Sequence, residues 1–281
     1  MSSPASVPPA PPTLVIEAGR AEAHYWRDLW RYRELFYFLT WRDLLVRYKQ
    51  TVVGVAWALI QPALTMVIFS VVGQLLRVPT GDVPRPVLIF TALLPWQFFS
   101  SALSASSGSL VGNANLISKV YFPRLIVPAS AVAVSLVDFL ISAVFLAVLM
   151  AIYHVVPDWR IVALPLFVFI AFGAALGAGL WLTALNVKYR DFRFVLPFIV
   201  QFGLYVSPVA FPSEVVPAKW RTLYALNPMV GVIDGFRWSL LGGHTALSPT
   251  GLGLSLLVVV GLLVGGITYF RSVERRFADL V

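Results

Sequence analysis

Few residues in this chain could do covalent chemistry. There are 13 acidic residues and 3 histidines among 281. His24, His154 and His244 stand far apart and offer no ligand pair for a metal. No Gly-x4-Gly-Lys-Ser/Thr segment occurs, so the chain cannot hold ATP on a phosphate-binding loop. The Asp-x-Asp pattern expected of metal-dependent sugar transferases is also missing. Asp191 sits in Lys188-Tyr-Arg-Asp-Phe-Arg193, where the flanking cations pair with it. Cysteine is absent, which excludes disulfides and thiolate metal sites. These absences predict no catalytic residue, no metal site and no cofactor bound by this chain.

Two polar features remain. Asp138 is a lone acid inside a long apolar run. An ionisable residue at membrane depth is a functional candidate by default. It would serve either as an ion-coupling site, or as a hydrogen-bonding spot between helices or on a conduit wall. Arg42, Arg47 and Lys49 are grouped just before the first apolar run. Gln61, Gln74, Gln97, Asn186 and Gln201 are further polar residues within apolar stretches.

The elements that must position these residues are membrane spans. Hydrophobic residues make up 59% of the chain and charged residues 12%, and the mean hydropathy is +0.82. A soluble domain carries roughly 25% charged residues, so this chain cannot cover a water-facing surface. A spanning helix needs about 20 apolar residues. Six stretches qualify: Thr51–Leu76, Val87–Ser118, Leu125–Pro157 (interrupted only by Asp138), Ile161–Val187, Phe194–Ser213 and Thr245–Phe270. The fold expected is an all-α integral membrane protein with six transmembrane helices.

Basic residues orient it. Of the 21 Lys and Arg, only Arg77, Arg85, Arg160, Lys219, Arg221 and Arg237 fall on one side of the six-span arrangement. The rest share a side with both termini, which the positive-inside rule places in the cytoplasm. The net charge of +8 is thus a topology signal, and no nucleic-acid partner is expected.

Residues 1–19 are rich in Pro, Ser and Ala and read as a disordered tail. Residues 20–50 read as an amphipathic interfacial helix, with Trp26, Leu29, Trp30 and Arg33, then Trp41, Leu44, Leu45 and Tyr48, at helical spacing. Residues 51–281 form the transmembrane domain. The second loop, Gly112 to Arg124, has room for a short helix capped by Asn113 or Asn115 and ended before Pro123. Its apolar tip, Ile117, Val120, Tyr121 and Phe122, either meets a partner or packs back on the chain itself. The fifth loop, about Glu214 to His244, is too apolar for a solvated loop and is broken at Pro217, Asn227-Pro228 and Gly235. It reads as two re-entrant gate helices between spans five and six, or as an interfacial lid. Small-residue pairs Gly173/Gly177 and Gly261/Gly265 allow close helix approach, within the chain or at a dimer seam.

Several segments together carry a resemblance: Arg33-Glu-Leu-Phe-Tyr-Phe-Leu-Thr-Trp-Arg-Asp-Leu-Leu-Val-Arg-Tyr-Lys-Gln50 leading into Gly54-Val-Ala-Trp-Ala-Leu-Ile-Gln-Pro62, then Asn115-Leu-Ile-Ser-Lys-Val-Tyr-Phe-Pro-Arg124, Asn186-Val-Lys-Tyr-Arg-Asp-Phe192, Ser207-Pro-Val-Ala-Phe-Pro212 and Leu226-Asn-Pro228. In order and spacing they resemble the permease subunit of polysaccharide-export ABC transporters, a type 2 ABC exporter family that moves O-antigen, capsule and teichoic-acid polymers. The resemblance runs from about Tyr32 to the C-terminus. The Arg33–Pro62 run is most similar to the O-antigen branch.

The resemblance implies a set of partners and roles. Two copies of this chain would pair with two P-loop ATPase subunits that carry the ATP and Mg. Asn115, Leu116, Ile117, Ser118, Lys119, Val120 and Tyr121 would form the coupling helix that docks on the ATPase. The substrate would be a glycan on a polyprenyl-diphosphate lipid, with Arg42, Arg47 and Lys49 holding the diphosphate, or else anchoring the chain to anionic membrane lipids. Trp57, Gln61, Phe202 and Tyr205 are candidates for the conduit, since sugar rings stack on aromatic faces. Trp220, Tyr224, Asn227 and Pro228 would belong to the outer gate. The place implied is the bacterial cytoplasmic (inner) membrane. The rival readings are an ion-coupled secondary transporter using Asp138, which would be expected to show matched inverted repeats, and a membrane-embedded glycan-modifying enzyme, which would need an acidic or His constellation.

Overall fold

The structure, a computed structural model, describes residues 25–49, 52–189, 191–242 and 247–274. The expected N-terminal tail and most of the C-terminus lie outside the described residues. Among those described there are eleven α-helices and no strand. They are α1 (Tyr25–Arg31), α2 (Arg33–Lys49), α3 (Val52–Leu75), α4 (Arg85–Gly112), α5 (Ala114–Lys119), α6 (Ile126–Ile152), α7 (Leu164–Lys188), α8 (Phe192–Val206), α9 (Ala218–Tyr224), α10 (Pro228–Leu240) and α11 (Pro249–Glu274). Four helical segments are long and apolar enough to cross a membrane: Arg85–Gly112, Ile126–Ile152, Trp159–Lys188 and Pro249–Glu274. Leu59–Leu75 and Phe192–Val206 are shorter apolar helices.

The fifth expected span departs from its sequence reading. Phe194 to Ser213 is uncharged throughout, but the helix stops at Val206. Ser207 precedes Pro208 and is extended, the conformation that a following proline favours. The helix of 15 residues is therefore about 22 Å long, and Ser207 to Pro212 continues without helix.

α4 is the hub of the bundle. It packs on α3, α6, α7, α8 and α10 and is buried along most of its length. Its N-terminus is set by Pro84 and Pro86, whose fixed φ suits a helix start. Polar side chains join it to α7. Thr183 Oγ1 donates to the Ser106 carbonyl at 2.8 Å, and Asn186 Nδ2 donates to the Ser107 carbonyl at 2.9 Å. Asn186 therefore bonds between helices.

α11 reaches the core through α7. Gly177 and Gly266 bring the two backbones together: a Cβ on Gly177 would lie 2.7 Å from the Leu262 carbonyl carbon. Gly173 also faces α11, through Val259 and Leu263. The Gly173/Gly177 pair thus serves packing within the chain. Gly261 has open space around it, and Gly265 faces Trp181.

Two apolar clusters mark the two ends of the bundle. At one end, Leu39 of α2, Leu110 of α4, Ile117 of α5, Val127 of α6, Leu180 of α7 and Phe270 of α11 pack together with Tyr25 of α1. Towards the other end, Phe90, Leu149, Phe167, Val209 and Phe236 belong to the larger cluster. There α3 and α6 finish with left-handed residues, Arg77 (φ 52°) and His154 (φ 55°). Val78 N–H bonds the Gly73 carbonyl and Val155 N–H the Met150 carbonyl, each at 2.9 Å, which satisfies carbonyls left over at the helix end.

Candidate functional site

α2 carries a buried side and an exposed side. Leu39 is inside, whereas Tyr37, Phe38, Trp41, Leu45 and Val46 are exposed. The helix lies along the first half of α6, and its last turn reaches the middle of that helix, where Arg47 meets Asp138.

Between α2, α4 and α6, with one turn of α3, runs a polar groove in two parts. The part nearer α5 is about 220 Å³ and is lined by Asp43, Ser109, Asn113 and apolar residues of α4 and α6. The deeper part is about 250 Å³ and is lined by Gln61, Leu94, Gln97, Phe98, Ser101, Ser135, Asp138, Phe139 and Ser142. Arg47 borders both. Serines and glutamines on otherwise apolar helices face one another here.

The charged groups of the groove are tied together. Arg47 Nη1 lies 2.8 Å from Asp138 Oδ2, and the Tyr48 hydroxyl donates to Asp138 Oδ1. Burial, with the Asp138 carboxylate beside it, pushes the Tyr48 phenol above its ordinary range, so it stays a donor. Asp138 thus finds its basic partner on α2. The pairing is not visible in the sequence, because Arg47 and Asp138 are far apart along the chain and α2 is not a span. Arg42 Nη2 donates to Asn113 Oδ1 at 2.8 Å and also pairs with Asp43. Asn113 in turn donates to the Ser109 carbonyl. It stands at the start of α5, but its side chain does not cap that helix. Lys49 is exposed at the end of α2.

Of the conduit candidates, Gln61 lines the groove. Trp57 lies outside the described side chains. Phe202 and Tyr205 are exposed on α8, with Phe202 stacked on Phe198, and the groove does not include them. Gln97, one of the polar residues singled out within the apolar stretches, lines it, and so do Ser101, Ser135 and Ser142, which the sequence reading did not name. Their signal was helical spacing: Ser135 and Ser142 lie one turn before and after Asp138 on α6, and Ser101 lies one turn after Gln97 on α4.

The short helix α5 divides its tip between two surroundings. Ile117 is buried in the end cluster, with Phe122 after it. Val120 and Tyr121 are exposed, as are Asn115, Ser118 and Lys119, while Leu116 is half-buried. The tip therefore packs back on the chain through Ile117 and Phe122, while Val120 and Tyr121 stay exposed. The segment after it is anchored by Arg124, whose backbone N–H donates to Glu274 Oε1 at 2.9 Å and whose guanidinium donates to the Glu274 carbonyl at 2.6 Å.

At the far end, Asn227 caps α10 by accepting from Met229 N–H at 3.0 Å, with Pro228 in the first turn. Asn227 Nδ2 also donates to Ser207 Oγ. α10 is mostly buried, with Gly235 pressed against the Phe167 ring and Gly231 against Ser255. Arg237 is fully buried and donates to the Val209 and Phe211 carbonyls at 3.1 Å each. It pins the non-helical Ser207–Pro212 segment to α10. Burial pushes the Asp234 carboxyl up to about 6, against the lowering influence of Ser213 and Arg237. Trp220 of α9 is exposed and Tyr224 is half-buried. Among the described residues no cluster of three His, Asp or Glu could hold a metal ion.

Residues 34–241 match the family model described as ABC-2 type transporter. The chain is 29% identical to the O-antigen export system permease protein RfbA of Myxococcus xanthus, over 91% of this chain and 98% of that protein. It is 28% identical to a protein of the same name from Klebsiella pneumoniae, over 88% and 95%. With the polysialic acid transport protein KpsM of Escherichia coli it shares 23% identity over 83% and 91%.

Proposed function

The chain belongs to the ABC-2 type transporter family, and from that premise we propose that it is the permease subunit of an exporter of polysaccharide carried on a polyprenyl-diphosphate lipid. The observation that carries this reading is the polar groove beside α2, with Arg47 at its centre, cut into the flank of an apolar bundle. A guanidinium that borders this groove, half-exposed and held by Asp138, can turn to an anionic headgroup, and a diphosphate is the anion that such lipids carry. O-antigen is the polymer best supported, because two of the relatives named above bear that name; capsule and teichoic acid are the other members of the class.

In this reading the chain crosses the bacterial cytoplasmic membrane six times, by α3, α4, α6, α7, α8 and α11, with both termini in the cytoplasm. α1 and α2 lie at the cytoplasmic face, and the exposed aromatics of α2 sit among lipid headgroups. The headgroup enters beside α2, where Arg42, Arg47 and Lys49 receive it. Each cleft of the groove is below the usual size of a ligand pocket, roughly 300–1,000 Å³. It suits a headgroup, and the polymer itself passes between two copies of the chain. α9 and α10 form the outer gate.

Energy comes from ATP on two partner subunits. These dock on Val120 and Tyr121, the exposed side of α5. Ile117, on the opposite side, touches the ends of the spans, so a push on the tip passes directly into the bundle. Arg124 and Glu274 carry the same displacement to α11.

The test is purification from the host in mild detergent with mass spectrometry of whatever accompanies the chain, paired with deletion and an assay of surface polysaccharide. A stoichiometric P-loop subunit and loss of a lipid-linked polymer from the surface are expected. A chain that purifies alone and moves its substrate on a proton gradient would overturn the reading.

A further inference from the structure

Arg47 and Asp138 neutralise each other inside the groove. The Asp138 side chain is 15% exposed and the Arg47 side chain 46%, so the acid is fixed in the wall while the guanidinium borders open space. Among the described residues that line the deeper cleft, Asp138 is the sole carboxylate; the other polar ones are Arg47, Gln61, Gln97, Ser101, Ser135 and Ser142. In the cleft nearer α5, Asp43 is already paired with Arg42. A carboxylate in a groove that receives an anion repels that anion unless it does something else there. What it does here is visible: it takes a charge-assisted hydrogen bond from Arg47 and a second bond from Tyr48, both on the last turn of α2.

We propose that Asp138 is the resting counter-ion of Arg47 and an internal competitor of the lipid diphosphate. This inference rests on the reading of Arg47 as a diphosphate ligand. In the empty groove the carboxylate offsets the charge of the guanidinium at membrane depth, where an uncompensated charge is costly. An arriving diphosphate offers Arg47 a bidentate acceptor with more negative charge than a carboxylate. Arg47 exchanges partners, which a half-exposed side chain can do without unpacking. The exchange also loosens the last turn of α2 on the middle of α6, because of its two bonds to Asp138 only that of Tyr48 remains. When the headgroup moves on, Asp138 recovers Arg47 and the site resets. The acid thus limits affinity so that the ligand can leave.

The test uses the purified transporter complex in lipid nanodiscs, with farnesyl diphosphate as the probe and farnesol as the control, read by calorimetry. The Asp138→Asn variant keeps an acceptor for Tyr48 and removes the competing charge. Its affinity for farnesyl diphosphate is expected to rise at least fivefold over the native chain. Arg47→Gln is expected to lose binding, and Asp138→Asn to have no effect in that background, because the two residues act on one another. Equal or weaker binding by an assembled Asp138→Asn complex overturns the competitor role. If that variant also loses export, ion coupling by Asp138 replaces it. A native complex that binds no farnesyl diphosphate, or an Arg47→Gln variant that binds it normally, overturns the diphosphate reading of the site itself. Should Asp138→Asn fail to assemble, spin labels on Val46→Cys and Val144→Cys, in a chain that has no native cysteine, report the α2–α6 distance. Addition of farnesyl diphosphate is expected to lengthen it, and an unchanged distance overturns the proposal.

Discussion

A methyl group on Gly266 would meet the Gly177 carbonyl oxygen at 2.5 Å. No real side chain tolerates that approach, so α7 and α11 can pack as they do only with glycine at both places. The contact lies within one chain. It makes α11, the last apolar helix, a fixed part of the bundle.

Gly266→Leu is therefore expected to destabilise the protein. Overpacking of a close interface costs about 1–3 kcal/mol, and here the obstacle is backbone, which cannot rotate away. Gly261→Leu, with open space around it, serves as the control. Thermal unfolding of the purified protein in detergent checks the pair. A lowered midpoint is expected for Gly266→Leu alone, and equal effects at both positions would place the helix seam elsewhere.

Ile117 and Tyr121 are expected to separate folding from coupling. Ile117→Ala removes a buried side chain from the end cluster, at a cost of about 2–5 kcal/mol. Tyr121→Ala changes an exposed ring and leaves stability within about 0.5 kcal/mol of the native value. Copurification of the P-loop subunit is expected to fall for Tyr121→Ala while the permease itself remains folded. If Tyr121→Ala keeps its partner and its transport, the ATPase docks on another surface.

Sequence periodicity and charge were enough to place four of the spanning helices, the short helix α5 and the break at Asn227-Pro228. These depend on local causes, uncharged length and proline geometry; the side-chain cap expected of Asn113 on α5 is not made. Gly177 was visible as part of a spaced pair, but its partner Gly266 was not, because which glycine meets which backbone depends on helix rotation. The end of α8 was misjudged by hydropathy, which does not register that Ser207 must be extended before Pro208. Of the groove's lining, Arg47 and Gln61 were legible from type and position. The joining of Arg47 to Asp138 was not, since 90 intervening residues must first fold to bring α2 against α6. Arg237 was counted as an outer-side cation. Its burial follows from Val209 and Phe211 offering bare carbonyls, which is a consequence of the same broken helix.

Asp234 and Arg237 give the far end a pH dependence of known sign. Burial raises the Asp234 carboxyl from 3.8 to about 6, so the folded protein binds a proton more tightly than the unfolded chain. The stabilising contribution of that proton is complete below about pH 4 and is lost as the pH rises through about 6. Ser213, Glu214 and Arg237 are the neighbours that act on this carboxyl, and burial lowers Arg237 to about 10, which leaves it charged throughout this range. Asp234→Asn is expected to gain stability relative to the native chain at pH 7.5. That advantage, on the order of 2 kcal/mol, should shrink as the pH falls to 5. Thermal midpoints of the two proteins measured across pH 5–7.5 decide it. A difference that stays constant over this interval would mean that Asp234 is already ionised at pH 5, held so by Arg237 and Ser213 more strongly than burial opposes it.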